Sequence, residues 1–138
     1  MFAPPHARQA VASYRHVSVE TGVSEASPHQ LICMLLEGFR DSVAQARGAV
    51  QDGRSEDKSR AIARAIRIVN EGLQSSLDLQ RGGDLATNLS ALYAFVTVRL
   101  TQANQRNDAA MLAECARLLE PVHEAWRAID PARAGQPQ

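Results

Sequence analysis

The chain has 138 residues, enough for one domain built on a single core. Hydrophobic residues make up 45% and charged residues 22%, close to the averages of soluble globular proteins, which excludes wholesale disorder. The 15 basic and 15 acidic residues cancel, so nucleic-acid binding driven by overall charge is excluded and only a local basic patch stays open.

In chain order, residues 1–23 hold Pro4, Pro5 and Gly22 without a sustained apolar stripe, and are expected to form a flexible arm. They lack the basic start and apolar stretch of a signal peptide. The longest apolar run, Leu31 to Leu36, is far shorter than the roughly 20 residues of a membrane span. A cytoplasmic protein without membrane insertion is expected. Residues 24–131 carry four stripes with steps of 3 and 4, the mark of amphipathic helices, while aromatic residues are only 4% and strands have little support. The first stripe is Ile32, Leu36, Phe39, Val43, Ala46 and Val50. It opens on Ser27, Pro28 and Gln30, a capping box with proline at the first helical position, and stops near Gly53.

The second stripe is Ile62, Ile66, Val69, Leu73 and Leu77, with Ser55 as a possible cap and Gly82-Gly83 beyond its end. The third, Leu85, Leu89, Leu92, Val96, Leu100 and Ala103, has Asp84 as its candidate cap. The fourth, capped by Asp108, is Met111, Cys115, Leu118, Val122, Ala125 and Ile129. Pro121 inside it predicts a kink, with two shorter helices as the alternative. Residues 132–138 are expected to be a disordered tail. Short connections make consecutive helices antiparallel, so the expected fold is all-α, an up-down-up-down four-helix bundle.

Cys33 and Cys115 stand singly inside helical stripes, which favours reduced thiols over a disulfide. Glu120-Pro-Val-His123 has the Glu-x-x-His spacing of di-iron bundles, but no second copy exists to complete such a site; His6, His16 and His29 read as exposed. Signatures of hydrolases, phosphate loops and dinucleotide folds are absent, so neither an enzyme nor a cofactor is indicated. Arg60, Arg64 and Arg67 form a basic stripe able to meet phosphates or carboxylates, although such stripes are more often solvated faces.

The informative feature is apolar surplus. After the stripes fill a core, Leu31, Cys33, Met34, Leu35, Tyr93, Phe95 and Val98 still need cover, from the arm, a second copy or a partner helix. Gly38, one turn past Met34, would let another backbone approach.

The residues from Tyr14 to Ile129 resemble the flagellar secretion chaperone FliS family. Glu25-Ala-Ser-Pro-His-Gln-Leu31 is similar to its TASP-x-x-L, and Met34-Leu-Leu-Glu-Gly38 to its M-L-Y-D-G. Leu85-Ala-Thr-Asn-Leu89 with Leu92-Tyr93 resembles L-x-x-N-L-x-x-L-Y, Leu100 to Asn104 with Asp108 resembles L-x-x-A-N-x-x-x-D, and Ala125-Trp126 also fits. Glu25 stands where the family has threonine, and Leu36 where it has an aromatic. The resemblance implies a cytoplasmic export chaperone that binds the disordered C-terminal region of flagellin in apolar grooves. It would prevent premature polymerisation and keep the cargo competent for flagellar type III secretion, by helix-in-groove recognition coupled to folding. An export-gate component or a co-chaperone is a further candidate partner, and the chain is expected to be a monomer or weak homodimer. Candidate partner-binding residues are Tyr14, Leu31, Met34, Leu35, Gly38, Leu92, Tyr93 and Val96, with a core role equally open for Leu92 and Val96. Ser27, Pro28, Asn88 and Asn104 are candidate structural residues. The alternative function is a generic helical dimerisation module.

Overall fold

Ser27 starts the first helix as its sequence requires: its Oγ accepts from Gln30 N at 3.1 Å while Gln30 Oε1 accepts from Ser27 N at 3.1 Å, and Pro28 follows. The computed structural model describes residues 27–129. Tyr14, the expected arm and the expected tail lie outside the described residues. Four helices follow in order: α1 (Pro28–Asp52), α2 (Ser55–Arg67) continuing as a π-helical segment (Ile68–Gln74), α3 (Gly83–Arg106) and α4 (Ala109–Arg127). No strand occurs among the described residues.

The connections are set by local chemistry. Gly53 ends α1 at φ 71°, and Asn107 ends α3 at φ 51°, both in the left-handed region that closes a helix. Asp108 caps α4, its Oδ1 accepting from Met111 N at 3.0 Å. Two expected caps differ. Ser55 is the first residue of α2 rather than its cap, and Asp84 lies within the first turn of α3, which starts at Gly83 without a side-chain cap; both helices instead place carboxylates, Glu56 and Asp57 or Asp84, against the positive end of the helix dipole.

α1 packs on α2 and α4, and α3 packs on α4 and on α2 with its π-helical extension, so α1 and α3 stand diagonally across the bundle. The core contains Ile32, Leu36, Phe39 and Val43 of α1, with Ile62, Val69 and Leu73 of the second helix. Leu36, where the family pattern has an aromatic, is therefore a core residue. In α3 the buried line is Ala86, Leu89, Tyr93, Val96 and Leu100, with Leu85 and Leu92 half-buried beside it. In α4 the line after Cys115 is Leu119, His123 and Trp126, one residue on from the expected Leu118, Val122 and Ala125. Trp126 and Tyr93, both fully buried, supply volume that an apolar count had not placed inside.

α4 runs unbroken through Pro121, so the alternative of two shorter helices does not hold. The second helix departs from the α-helical period over Ile68–Gln74, where the ladder widens to the i→i+5 spacing that Ser75 N to Asn70 O, 3.1 Å, also shows. Val69 and Leu73 stay in the core, and Leu77 reaches it from beyond the helix.

Candidate partner-binding surfaces

The interhelical contacts show which way each flank turns. On α1, Ser42 Oγ accepts from Arg64 Nη1 at 3.0 Å, which marks the flank facing α2. Leu35 and Gly38 stand seven and four residues earlier on the same flank, with Leu31 a further turn back. The packing there is close. A Cβ placed on Gly72 would meet Leu35 Cδ2 at 2.8 Å, and one on Gly38 would meet Ile68 Cδ1 at 3.3 Å and Arg64 Nη2 at 3.5 Å. The space beside Gly38 is thus bordered by the Ile68 and Arg64 side chains of the second helix in the same chain. Met34, one turn before Gly38, is 63% exposed.

On α3, Ser90, Thr97 and Asn104 recur every seven residues and all bond to the second helix. Gln74 Nε2 donates to Ser90 O at 3.0 Å, Thr97 Oγ1 to Asn70 Oδ1 at 3.2 Å, and Ser59 Oγ to Asn104 Oδ1 at 3.3 Å. The opposite flank carries Leu85, Leu92 and Arg99 at the same interval and faces α4, where Glu114 receives Arg99 Nη2 at 2.7 Å. Phe95 and Val98 are half-exposed on the outer side of α3.

Thus the sequence candidates divide. Leu31, Met34, Leu35 and Gly38 belong to the α1 flank next to α2, whereas Leu92 lies on the α3 flank next to α4, and the core separates the two. Tyr93 and Val96, also candidates for partner contact, are fully buried in the core and present no surface to a partner. Asn104 does tie helices together, but Asn88 is exposed, so it does not bridge buried backbone between the described helices. Surface reasoning on the sequence missed Ile68 and Gly72, which shape the first flank, and Leu79, exposed in the connection before α3.

Where α1 begins and α4 ends, His29 is buried rather than exposed. Its Nε2 donates to Trp126 O at 2.8 Å, its ring lies 5.9 Å from the indole, and Cys33 Sγ is 3.8 Å from the same nitrogen. The carbonyl can only accept, so the proton sits on Nε2. His123 is also buried; burial, followed by Arg127, lowers its pKa below the ordinary 6.5 while Glu120 and Glu37 oppose this. Glu120 is engaged by Arg127 Nη2 at 3.0 Å. Burial raises the Cys33 thiol, and pushes Cys115 up to about 11. Both cysteines are free thiols. Among the described residues no group of three His, Cys, Asp or Glu side chains is arranged to hold a metal ion, and no helix is long and apolar enough to cross a membrane.

The family described as flagellar protein FliS matches residues 10–133. The chain is 44% identical to the flagellar secretion chaperone FliS of Salmonella typhimurium over 126 residues, which is 91% of this chain and 93% of that protein. It is 42% identical to the flagellar secretion chaperone FliSB of Pseudomonas aeruginosa over 124 residues, 90% of this chain and 98% of that one. The FliS of Escherichia coli is 34% identical over 122 residues, covering 88% and 90%. A match that runs from ahead of α1 to beyond α4, with relatives spanned almost end to end, places the chain in the flagellar protein FliS family.

Proposed function

We propose that the protein is a cytoplasmic, non-enzymatic export chaperone that binds the disordered C-terminal region of a flagellin and keeps it from assembling before secretion. The observation that carries this reading is the apolar surface left on a bundle whose core is already full, in a chain whose relatives are named flagellar secretion chaperones. Met34, Phe95 and Val98 are at least half-exposed, and Leu31, Leu35 and Leu92 are half-buried beside them. These three side chains are already partly covered, so completing their burial would contribute about 2–5 kcal/mol gross, half of the about 1.5–3 kcal/mol that each gives when fully exposed. Ordering a disordered segment costs about 2–5 kcal/mol of that, and association costs more. Useful affinity therefore requires the half-buried positions as well, and Tyr14 is assigned a covering role because a phenol shields apolar surface while its hydroxyl stays wet.

The test is calorimetric titration of the full chain with a peptide covering the flagellin C-terminal region and with a scrambled control. The expected result is one-to-one binding with a large negative heat-capacity change, weakened at least tenfold by Met34→Glu or Phe95→Glu. Absence of binding both to the peptide and to monomeric flagellin would overturn the reading. In that case a concentration-dependent mass by light scattering would identify the dimerisation module instead.

A further inference from the structure

The flagellin reading leaves unexplained a second, chemically different surface. On the outer side of the α1–α2 pair runs an open groove lined by Arg54, Arg60, Arg64 and Arg67, with Asp57 as its acidic lining residue and Gln45 and Gly48 as its α1 wall. Arg54 is paired with Asp57 and Asp52, at 3.0 Å and 3.4 Å, and Arg60 with Asp57 and Glu56, at 3.5 Å and 3.6 Å, exposed ion pairs that an incoming carboxylate can exchange. Arg64 is held differently. Its Nη1 donates to the fully buried hydroxyl of Ser42 and its Nη2 lies over Gly38, so the guanidinium is oriented by the fold with donors to spare. Arg67 is exposed and forms no ion pair among the described residues.

We propose that this groove docks an acidic helical segment of a protein partner. Arg60, Arg64 and Arg67 follow the i, i+4, i+7 spacing of one helix face and extend about 10 Å along the axis. Carboxylates at the same spacing on an antiparallel or parallel helix meet them one to one, with Arg64 as the preset member that fixes register. A single phosphate at this spacing reaches only one or two of the guanidiniums. The lining residues include no aromatic ring on which a base could stack.

The experiment uses the full-length chain and a fluorescently labelled, alanine-rich peptide about four turns long, with glutamates at i, i+4 and i+7. Its controls are an isomer with the same glutamates distributed around the helix and a glutamine version. By anisotropy the matched peptide is expected to bind at least several-fold more tightly than the isomer, and Arg60→Gln with Arg67→Gln together to weaken it about tenfold. Ser42→Ala, which releases Arg64, is expected to weaken it as well, with thermal melts confirming that each variant folds. Phe95→Glu, on α3, should leave this binding unchanged, so failure of the flagellin reading and failure of this one are separable. Equal binding of matched peptide and isomer, or no loss in the double variant, would overturn the proposal. So would displacement of the peptide by inorganic phosphate but not by chloride of equal ionic strength, which would make the groove a small-anion site.

Discussion

Lys58 offers a direct test of how the second and third helices are joined. It is only 7% exposed, and its ammonium donates to the carbonyl of Asn104, at 3.0 Å, and to the side-chain oxygen of Asn107. Asn104 lies in the last turn of α3, whose terminal carbonyls have no partner within the helix, and Asn107 is the left-handed residue that ends it. Lys58 therefore closes the C-terminus of a helix to which it does not belong. Lys58→Met keeps most of the apolar stem and removes the charge. Two hydrogen bonds to a charged group contribute about 3–6 kcal/mol, and a cation at the negative end of a helix dipole adds about 0.3–1 kcal/mol. Desolvating the ammonium offsets several kcal/mol of this. The expected net loss is about 2 kcal/mol, read as a lowered urea midpoint at unchanged slope and a melting temperature lower by roughly 8 °C. Asn107→Gly tolerates the left-handed backbone but deletes one acceptor, so in the Lys58→Met background it should cost about 1 kcal/mol less than it does alone. A Lys58→Met variant within about 0.5 kcal/mol of the parent, or strict additivity in the cycle, would refute the argument.

Two further predictions follow from buried titratable groups. His123 has its pKa lowered chiefly by burial, so the folded chain favours neutral imidazole. Above 6.5 both states are neutral; as pH falls below it the unfolded chain takes up the proton first, and stability is lost down through the lowered folded value. Urea midpoints at about pH 7.5 and about pH 5.5 should thus differ more in the parent than in His123→Gln, and an equal difference would contradict this. Cys115, pushed up to about 11 by burial and the neighbouring Glu114, should resist a disulfide reagent until the chain unfolds, whereas half-buried Cys33 reacts first; equal rates in the folded protein would count against the packing described.

Much of this fold was legible because its signals are local. The Ser27–Pro28–Gln30 box and the Asp108 cap need only a few neighbouring residues, and both form as expected. The stripes were legible to within one residue. Where two adjacent residues both suit the core, as at Leu92-Tyr93, Leu118-Leu119 and Ala125-Trp126, spacing alone cannot choose, and the space between helices does: it takes Tyr93, Leu119 and Trp126. His29 and Lys58 were hidden for another reason. Each is a polar residue buried because it satisfies a carbonyl at the end of a distant helix, Trp126 O for one and Asn104 O for the other, and nothing nearby in the sequence reports that partner. The widened turn at Ile68–Gln74 was likewise invisible, since Val69 and Leu73 fit an ordinary α-helical stripe, while the packing of Leu35 against Gly72 and the bonds of Asn70 and Gln74 to α3 are made by residues distant in the sequence.

The division of the candidate surface has a consequence for any cargo that uses it. The α1 flank bearing Leu31 and Leu35 adjoins α2, and the α3 flank bearing Leu92 adjoins α4, so the two lie on opposite sides of the ring of helices. With neighbouring axes about 9 Å apart and helices about 11 Å across, the bundle is roughly 20 Å wide, and the path around it from one flank to the other is about 30 Å. A single straight helix can cover either flank but not both. A segment that engages both must pass about ten extended residues around the outside, at about 3.3 Å each, between the pieces that dock. A disordered chain can do this. Under the function proposed above, a cargo that uses both flanks would be held at two separated apolar patches by a linker that needs no side-chain recognition of its own.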